Sequence, residues 1–164
     1  MKFIIRDIDT SDLDAVLSLN QSEVPHVGDA DLEKMAWFSS HATYFRVASN
    51  GDELAAFLIG LRPGTQYASP NYRWFCERYG DFAYVDRVAV SPTAQRHGLA
   101  SRLYDDFAHA VPASVRLMTC EVNIKPPNEI SMQFHENLGF RQVGSRQSDG
   151  GAKEVAMLAK DLRQ

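Results

Sequence analysis

The stretch FAYVDRVAVSPTAQRHGLASRLYDDFAHAVP, residues 82 to 112, constrains the fold more than any other part of the chain. An apolar, β-rich run ends at Val90, a few small or polar residues intervene, and Leu99, Leu103, Phe107 and Val111 then recur at every fourth position. Residues four apart share a face on a helix, so the second half is an amphipathic helix with one stripe to bury. Pro112 closes it, because proline offers no N–H and clashes with the preceding turn. A strand that feeds a helix of this kind commits the chain to a layered α/β fold, in which the stripe is buried on a sheet.

The rest of the sequence supplies that sheet. FIIRDI reads as a first strand, and Thr10 or Ser11 can cap a helix running to about Asn20, with Leu13, Val16 and Leu17 at helical spacing. Asp29 or Asp31 can begin a second short helix to about Phe38. TYFRVAS and ELAAFLIGL are β-rich runs on either side of Asn50-Gly51-Asp52, a hairpin signal because Asn and Gly tolerate positive φ. Residues 62 to 81 carry Pro63, Gly64, Pro70 and Gly80 among five aromatic residues, which predicts a long insertion with a short helix near 70 to 78. VRLMTCEV is a fifth strand, Asn128 caps a helix through Leu138 that Gly139 ends, and FRQVGSRQ and KEVAMLAKDL form two more strands around Asp149-Gly150-Gly151. The expectation is one domain over residues 1–164 with a mixed central sheet of about seven strands flanked by helices.

Composition narrows the partners. A chain of 164 residues, 45% hydrophobic and 23% charged, suits one soluble globular domain. The net charge of -4 argues against a general nucleic-acid or anionic-membrane binder. No apolar run approaches the ~20 residues that span a bilayer, and Asp7 follows the first short apolar stretch too early for a signal peptide, so a cytoplasmic location is expected. Cys76 and Cys120 sit in neither a CxxC nor a metal-like cluster, which predicts two reduced thiols and no metal.

The Gln95–Ser101 turn is the strongest candidate for chemistry. A helix entered through small residues presents unpaired backbone N–H groups and a partial positive charge at its first turn. Gly98 lets a ligand approach the backbone, Ala100 keeps the next contact small, and Arg96 and Ser101 add donors, so a diphosphate would fit. Neither GxxxxGK[ST] nor GxGxxG is present, which removes the nucleoside-triphosphate and dinucleotide fingerprints. The plainer alternative is that Gly98 only serves a tight strand-to-helix junction.

VDRVAVSPTAQRHGLASRLY resembles the acetyl-CoA-binding core of the GNAT superfamily of N-acetyltransferases. That family's signature is (Arg/Gln)-x-x-Gly-x-(Gly/Ala) after a strand ending in Val-x-Pro, and Val90, Pro92, Gln95, Gly98 and Ala100 match it. NEISMQFHENLGF resembles the later family helix through Asn128, Ser131, Phe134, His135, Gly139 and Phe140. The resemblance implies acetyl-CoA as cosubstrate. The backbone of Val88, Ala89 and Val90 would pair with the pantetheine arm, and Gln95, Arg96, His97, Gly98, Leu99, Ala100 and Ser101 would hold the pyrophosphate. Asn128, Ser131 and His135 share one helix face that can meet cofactor, whereas Ile130, Phe134 and Leu138 form an apolar stripe for the core. Asn128 can equally serve as no more than a helix cap.

Acetyl transfer to an amine needs a neutral nucleophile, an oxyanion donor and a route for the leaving thiolate. The resemblance implies a backbone N–H near Val88 for the oxyanion and a base on the same strand. There Tyr84 and Asp86 share a face with Val88 and Val90. Asp86 is the expected base, with an ion pair to Arg87 as its competing role and Glu121 on the adjacent strand as the next candidate. Tyr84, a phenol with pKa about 10, suits orienting water. His135 replaces the tyrosine that commonly protonates the thiolate in the family, and either an imidazolium or a neutral ring N–H can donate. Cys120 as an acyl carrier is the weaker mechanism, since free cysteines usually behave as small buried hydrophobes. For the acceptor, the resemblance points to the region of Glu23 and to the insertion. Glu23 can pair with a cationic amine, and the insertion's aromatics can wall the site, pack locally or make a homodimer contact. The expected function is N-acetyl transfer to a small-molecule or peptide amine by direct attack. A non-catalytic acyl-CoA-binding regulatory module and an interaction protein of the same fold are the alternatives.

Overall fold

The structure is a computed structural model that describes residues 2–163. Among the described residues seven strands form a mixed sheet accompanied by five α-helices, which is the fold class expected from the sequence. Two compact units make up the chain: residues up to Leu61 with Val85–Ala110, and Arg62–Tyr84 with Val111 onward.

In the first unit, β1 (Ile4–Asp7), β2 (Tyr44–Asn50), β3 (Glu53–Leu61) and the main part of β4 (Ala83–Val90) lie side by side in that order. The β2–β3 hairpin turns at Gly51, whose φ of 62° is the left-handed geometry that the Asn50-Gly51-Asp52 sequence announces. Two helices separate β1 from β2. The first, α1 (Leu13–Ser22), follows the short 3-10 turn Thr10–Asp12, and Asp9 rather than Thr10 or Ser11 caps that turn, accepting the Ser11 N–H while the Asp12 carboxylate accepts the Asp9 N–H. A carboxylate at that position does the same work as a hydroxyl and also favours the positive helix end. The second, α2 (Leu32–His41), is capped by Asp31 and buries Met35 and Phe38.

β4 runs through the Pro92–Ala94 turn into α4 (Leu99–Ala110). Leu99, Leu103 and Phe107 are at most 2% exposed, so the stripe read from the sequence is the buried face. The Phe107 ring occupies the place that a side chain at Gly60 would need, which brings α4 down onto β3. Tyr44 and Arg46 of β2 both donate to Asp106, at 2.8 Å each, and fix the helix from the side.

In the second unit, the first residues of β4 pair in parallel with β5 (Leu117–Lys125), with Ala83 opposite Met118 and Tyr84 opposite Thr119. Next come β7 (Lys153–Asp161) and, at the edge, β6 (Arg141–Ser148), both antiparallel. The insertion forms α3 (Pro70–Arg78), with Ser69 as N-cap and Pro70 in the first turn, where proline is pre-set for a helix. Tyr72 and Phe75 are at most 1% exposed and pack near Phe82 and Tyr84. Of the roles open to the insertion's aromatics, these two take local packing, because they face inward from α3 onto the Phe82 and Tyr84 rings. Trp74 lies over Gly144 of β6, where a methyl group would come within 2.4 Å of the indole.

The last helix, α5 (Glu129–Asn137), departs from the stripe read in the sequence. Ile130 is 87% exposed and Phe134 and Leu138 are half-buried, while His135 is the buried residue of the helix. Spacing defines a stripe, but the neighbouring surface decides which stripe is covered.

Candidate active site

The turn from Gln95 to Ser101 combines exposure with an unusual backbone. Arg96 and Gly98 both have positive φ, 68° and 70°, so the chain reverses twice in the left-handed region before α4 starts. Gln95, Arg96, His97 and Gly98 are exposed, Ala100 and Ser101 are half-buried, and Leu99 is buried and anchors the turn in the core. No heavy atom lies within 4 Å of the position a Cβ at Gly98 would take, so the outer side of the turn is open. His97 stacks edge-on against Phe3. Preceding the turn, Val88 and Val90 of β4 are partly exposed, and Val85, Arg87 and Ala89 are buried.

Asp86 is committed to Arg87. Its Oδ2 accepts from the Arg87 Nε at 2.7 Å, and both side chains are only 4% exposed. The same guanidinium donates through Nη1 to the Asn20 side chain and to the Gly28 carbonyl, at 3.0 and 2.9 Å. This ion pair ties the end of α1 and the segment after it to β4, and it places Asp86 in the ion-pair role that competes with base catalysis. Lys34 of α2 feels the same cluster: burial and the Arg87 charge pull its ammonium pKa down against the opposing effect of Asp86. Glu23 is half-buried at the end of α1, where its backbone N–H bonds the Asn20 carbonyl.

Glu121 has a different setting. Tyr84 lies opposite Thr119 in the parallel ladder, and the two-residue period of β5 puts Glu121 on the same face one step further. The Tyr84 hydroxyl donates to both Glu121 oxygens, at 3.0 and 2.8 Å, and the Asn71 amide of α3 donates to Oε1 at 3.2 Å. On its other side, Asn71 Oδ1 accepts from Arg146 Nε of β6 at 2.8 Å. Tyr84 is fully buried, whereas Glu121, Asn71 and Arg146 remain half-buried. A hydrogen-bonded carboxylate on the accessible side of a buried phenol can accept a proton, and the amide holds it in one orientation. Asn71 and Arg146 carry no local motif and escape a reading of the sequence, because Asn71 meets Glu121 from α3, 50 residues away, and Arg146 meets Asn71 from β6, two strands from β5.

His135 is 4% exposed, in edge-on contact with Phe134 and Phe140. Its Nδ1 lies 2.7 Å from the Ser131 carbonyl, which accepts, so the proton of the neutral ring sits on Nδ1 and Nε2 is an acceptor. Burial lowers the imidazolium pKa, with the Ser131 carbonyl opposing. Asn128 caps α5 by accepting the Ser131 N–H at 3.2 Å. Cys120 is buried and Cys76 exposed, and neither forms a disulfide among the described residues.

The shift at His135 sets a pH dependence of stability. The unfolded chain takes up a proton near pH 6.5 and the native site only at lower pH, so the unfolded state binds more protons in that interval. Stability is therefore full above the unfolded pKa and declines as pH falls below it. His135→Phe should lose less melting temperature than the parent between pH 7 and pH 5; parallel curves would mean that His135 titrates normally in the folded protein.

The description "Acetyltransferase (GNAT) family" matches residues 13–140. This chain belongs to that family. Solved structures with the same fold include the ribosomal-protein-S18-alanine N-acetyltransferase of Escherichia coli, 19% identical over 99% of this chain and 96% of that one, with a TM-score of 0.73. Ard1 of Thermoplasma volcanium is 14% identical over the whole of both chains at a TM-score of 0.79. Naa20 of Chaetomium thermophilum, solved in complex with a bisubstrate analogue, is 17% identical over 96% of this chain and 86% of that one at 0.76. No helix among the described residues is long and apolar enough to cross a membrane.

Proposed function

We propose that the protein is an acetyl-CoA-dependent N-acetyltransferase, acting as one functional domain, that acetylates a primary amine by direct attack. The observation that carries this reading is the open Gln95–Ser101 turn, doubly left-handed and leading into α4, in a chain of the GNAT family. Backbone N–H groups of that turn and the helix dipole suit a pyrophosphate, and Arg96 and Ser101 add donors. The half-exposed edge of β4 from Val88 to Val90 suits the pantetheine arm, and a backbone N–H near Val88 suits the oxyanion.

For proton transfer we assign Glu121 as the base in preference to Asp86, whose accepting oxygen is taken by a buried guanidinium. The neutral amine forms the N–C bond to the thioester carbon, and the carbonyl electrons move to oxygen. Glu121 takes the proton that nitrogen must lose. The tetrahedral adduct then re-forms its carbonyl and expels the coenzyme A thiolate. With a thiol pKa of about 8.5, by analogy with cysteine, that thiolate can leave as an anion and be protonated by solvent. This route asks nothing of His135, which suits its buried, neutral state.

The test is thiol release from acetyl-CoA over a panel of primary amines, with mass-spectrometric detection of the acetylated product. Release that depends on both substrates, with linear initial kinetics and no acyl-protein adduct, is the expected result. Binding of acetyl-CoA without any turnover across the panel would assign the chain to cofactor binding alone.

A further inference from the structure

Arg146, at the outer end of the Glu121 network, takes no part in the proton transfer. Its guanidinium is half-buried on β6 and donates through Nε to Asn71 Oδ1 at 2.8 Å and through Nη1 to the Gln147 carbonyl at 3.4 Å. Both acceptors are neutral, and among the described residues Arg146 has no carboxylate partner. Among the described residues seven arginines and lysines make ion pairs, whereas both printed bonds of this partly desolvated guanidinium go to neutral oxygens. Its position is equally specific. The Asn71 side chain touches Arg146 with its oxygen and Glu121 with its nitrogen, so a fixed positive and a fixed negative group are separated by the width of one amide. That amide can only be oriented this way round, because its NH2 has nothing to donate to on a guanidinium and its oxygen cannot bond a carboxylate.

We propose that Arg146 is a specificity-determining residue and that the acceptor is a zwitterionic amino carboxylate. The acceptor's ammonium approaches Glu121, and its carboxylate is received by the Nη2 group and the remaining Nη1 N–H of Arg146, the end of a planar donor that matches a carboxylate with two parallel bonds. The pair of charges on the protein is complementary to the opposed pair on an amino acid, and once the amine has given up its proton the carboxylate still holds it in place. A polyamine would bring a second cation to Arg146 and is disfavoured. This inference rests on Glu121 as the base of the proposed acetyl transfer.

The test uses matched acceptors: α-amino acids, β-alanine and γ-aminobutyrate, each beside its carboxamide, with kcat/KM measured by thiol release for the parent protein, Arg146→Lys and Arg146→Gln. The parent should prefer each productive carboxylate over its amide by about tenfold or more, and Arg146→Gln should erase that preference, with Arg146→Lys in between. The carboxylate-to-amide ratio is the diagnostic quantity. If Arg146 only positions Asn71, both acceptors slow together and the ratio stays as in the parent, which overturns the proposal. A parent enzyme indifferent to the carboxylate, or one that acetylates peptide N-termini or polyamines better than any amino carboxylate, overturns it as well. A second readout does not need turnover: free amino carboxylates should raise the melting temperature of the parent in the presence of coenzyme A, while their amides should not, and Arg146→Gln should lose the shift. If acetyl transfer itself fails, this shift still decides the site, and its absence in the parent refutes it.

Discussion

Glu121→Gln is expected to lower kcat for acetyl transfer by about a hundredfold or more, the usual contribution of a positioned general base, while acetyl-CoA affinity stays close to that of the parent. Glutamine keeps the length and an oxygen that Tyr84 can still bond, so the variant tests the base and not the fold. The loss should shrink as pH rises and more of the acceptor is already neutral. Asp86→Asn is the control. It leaves a buried guanidinium facing a neutral amide, which should cost about 2 kcal/mol of stability and lower the melting temperature, with a much smaller effect on kcat than Glu121→Gln. A reversed ranking in kcat would return the base to Asp86.

Gly98→Val is expected to weaken acetyl-CoA binding by more than about tenfold, or at least 1.4 kcal/mol of binding free energy. Two effects contribute. At φ of 70° a side chain with a branched Cβ is strained, by roughly 1–2 kcal/mol, and the turn pays by shifting. The added methyl groups also project into the open side, where no protein atom lies within 4 Å, so what they obstruct is a ligand. Gly98→Ala separates the two, since it carries the backbone penalty with a much smaller obstruction and should fall between the parent and valine. Calorimetry with acetyl-CoA on all three proteins checks it, and equal affinity across the series would remove the pyrophosphate from this turn.

Much of this architecture is legible along the chain because its causes are local. The Leu99, Leu103, Phe107 stripe, the glycine turns at Gly51 and Gly150, the helix at Pro70–Arg78 and the alternation along β4 each follow from residues within a few positions of one another. Faces are less legible than elements. On α5, Ile130, Phe134 and Leu138 make as good a stripe as any, yet Ile130 is exposed and His135 is buried between Phe134 and Phe140. Nothing within the helix distinguishes the two sides; the choice depends on the surface that α5 meets.

The two carboxylates show the same division at the site. By sequence alone Asp86 is the expected base, on the strand face of Val88, and Glu121 on the adjacent strand is the weaker candidate. Tertiary structure separates them, since Asp86 falls beside a buried Arg87 that is itself held by Asn20 and Gly28 from far along the chain, and Glu121 meets Tyr84, 37 residues away, and Asn71, 50 residues away. The sequence by itself determined the order of strands and helices and the glycine turn that opens α4, because periodicity, capping and positive φ are properties of short segments. Only the tertiary structure decided which acid is tied up in an ion pair and which is held ready by a phenol and an amide, because a carboxylate's chemistry is set by the charges and donors packed around it, and those arrive from distant parts of the chain.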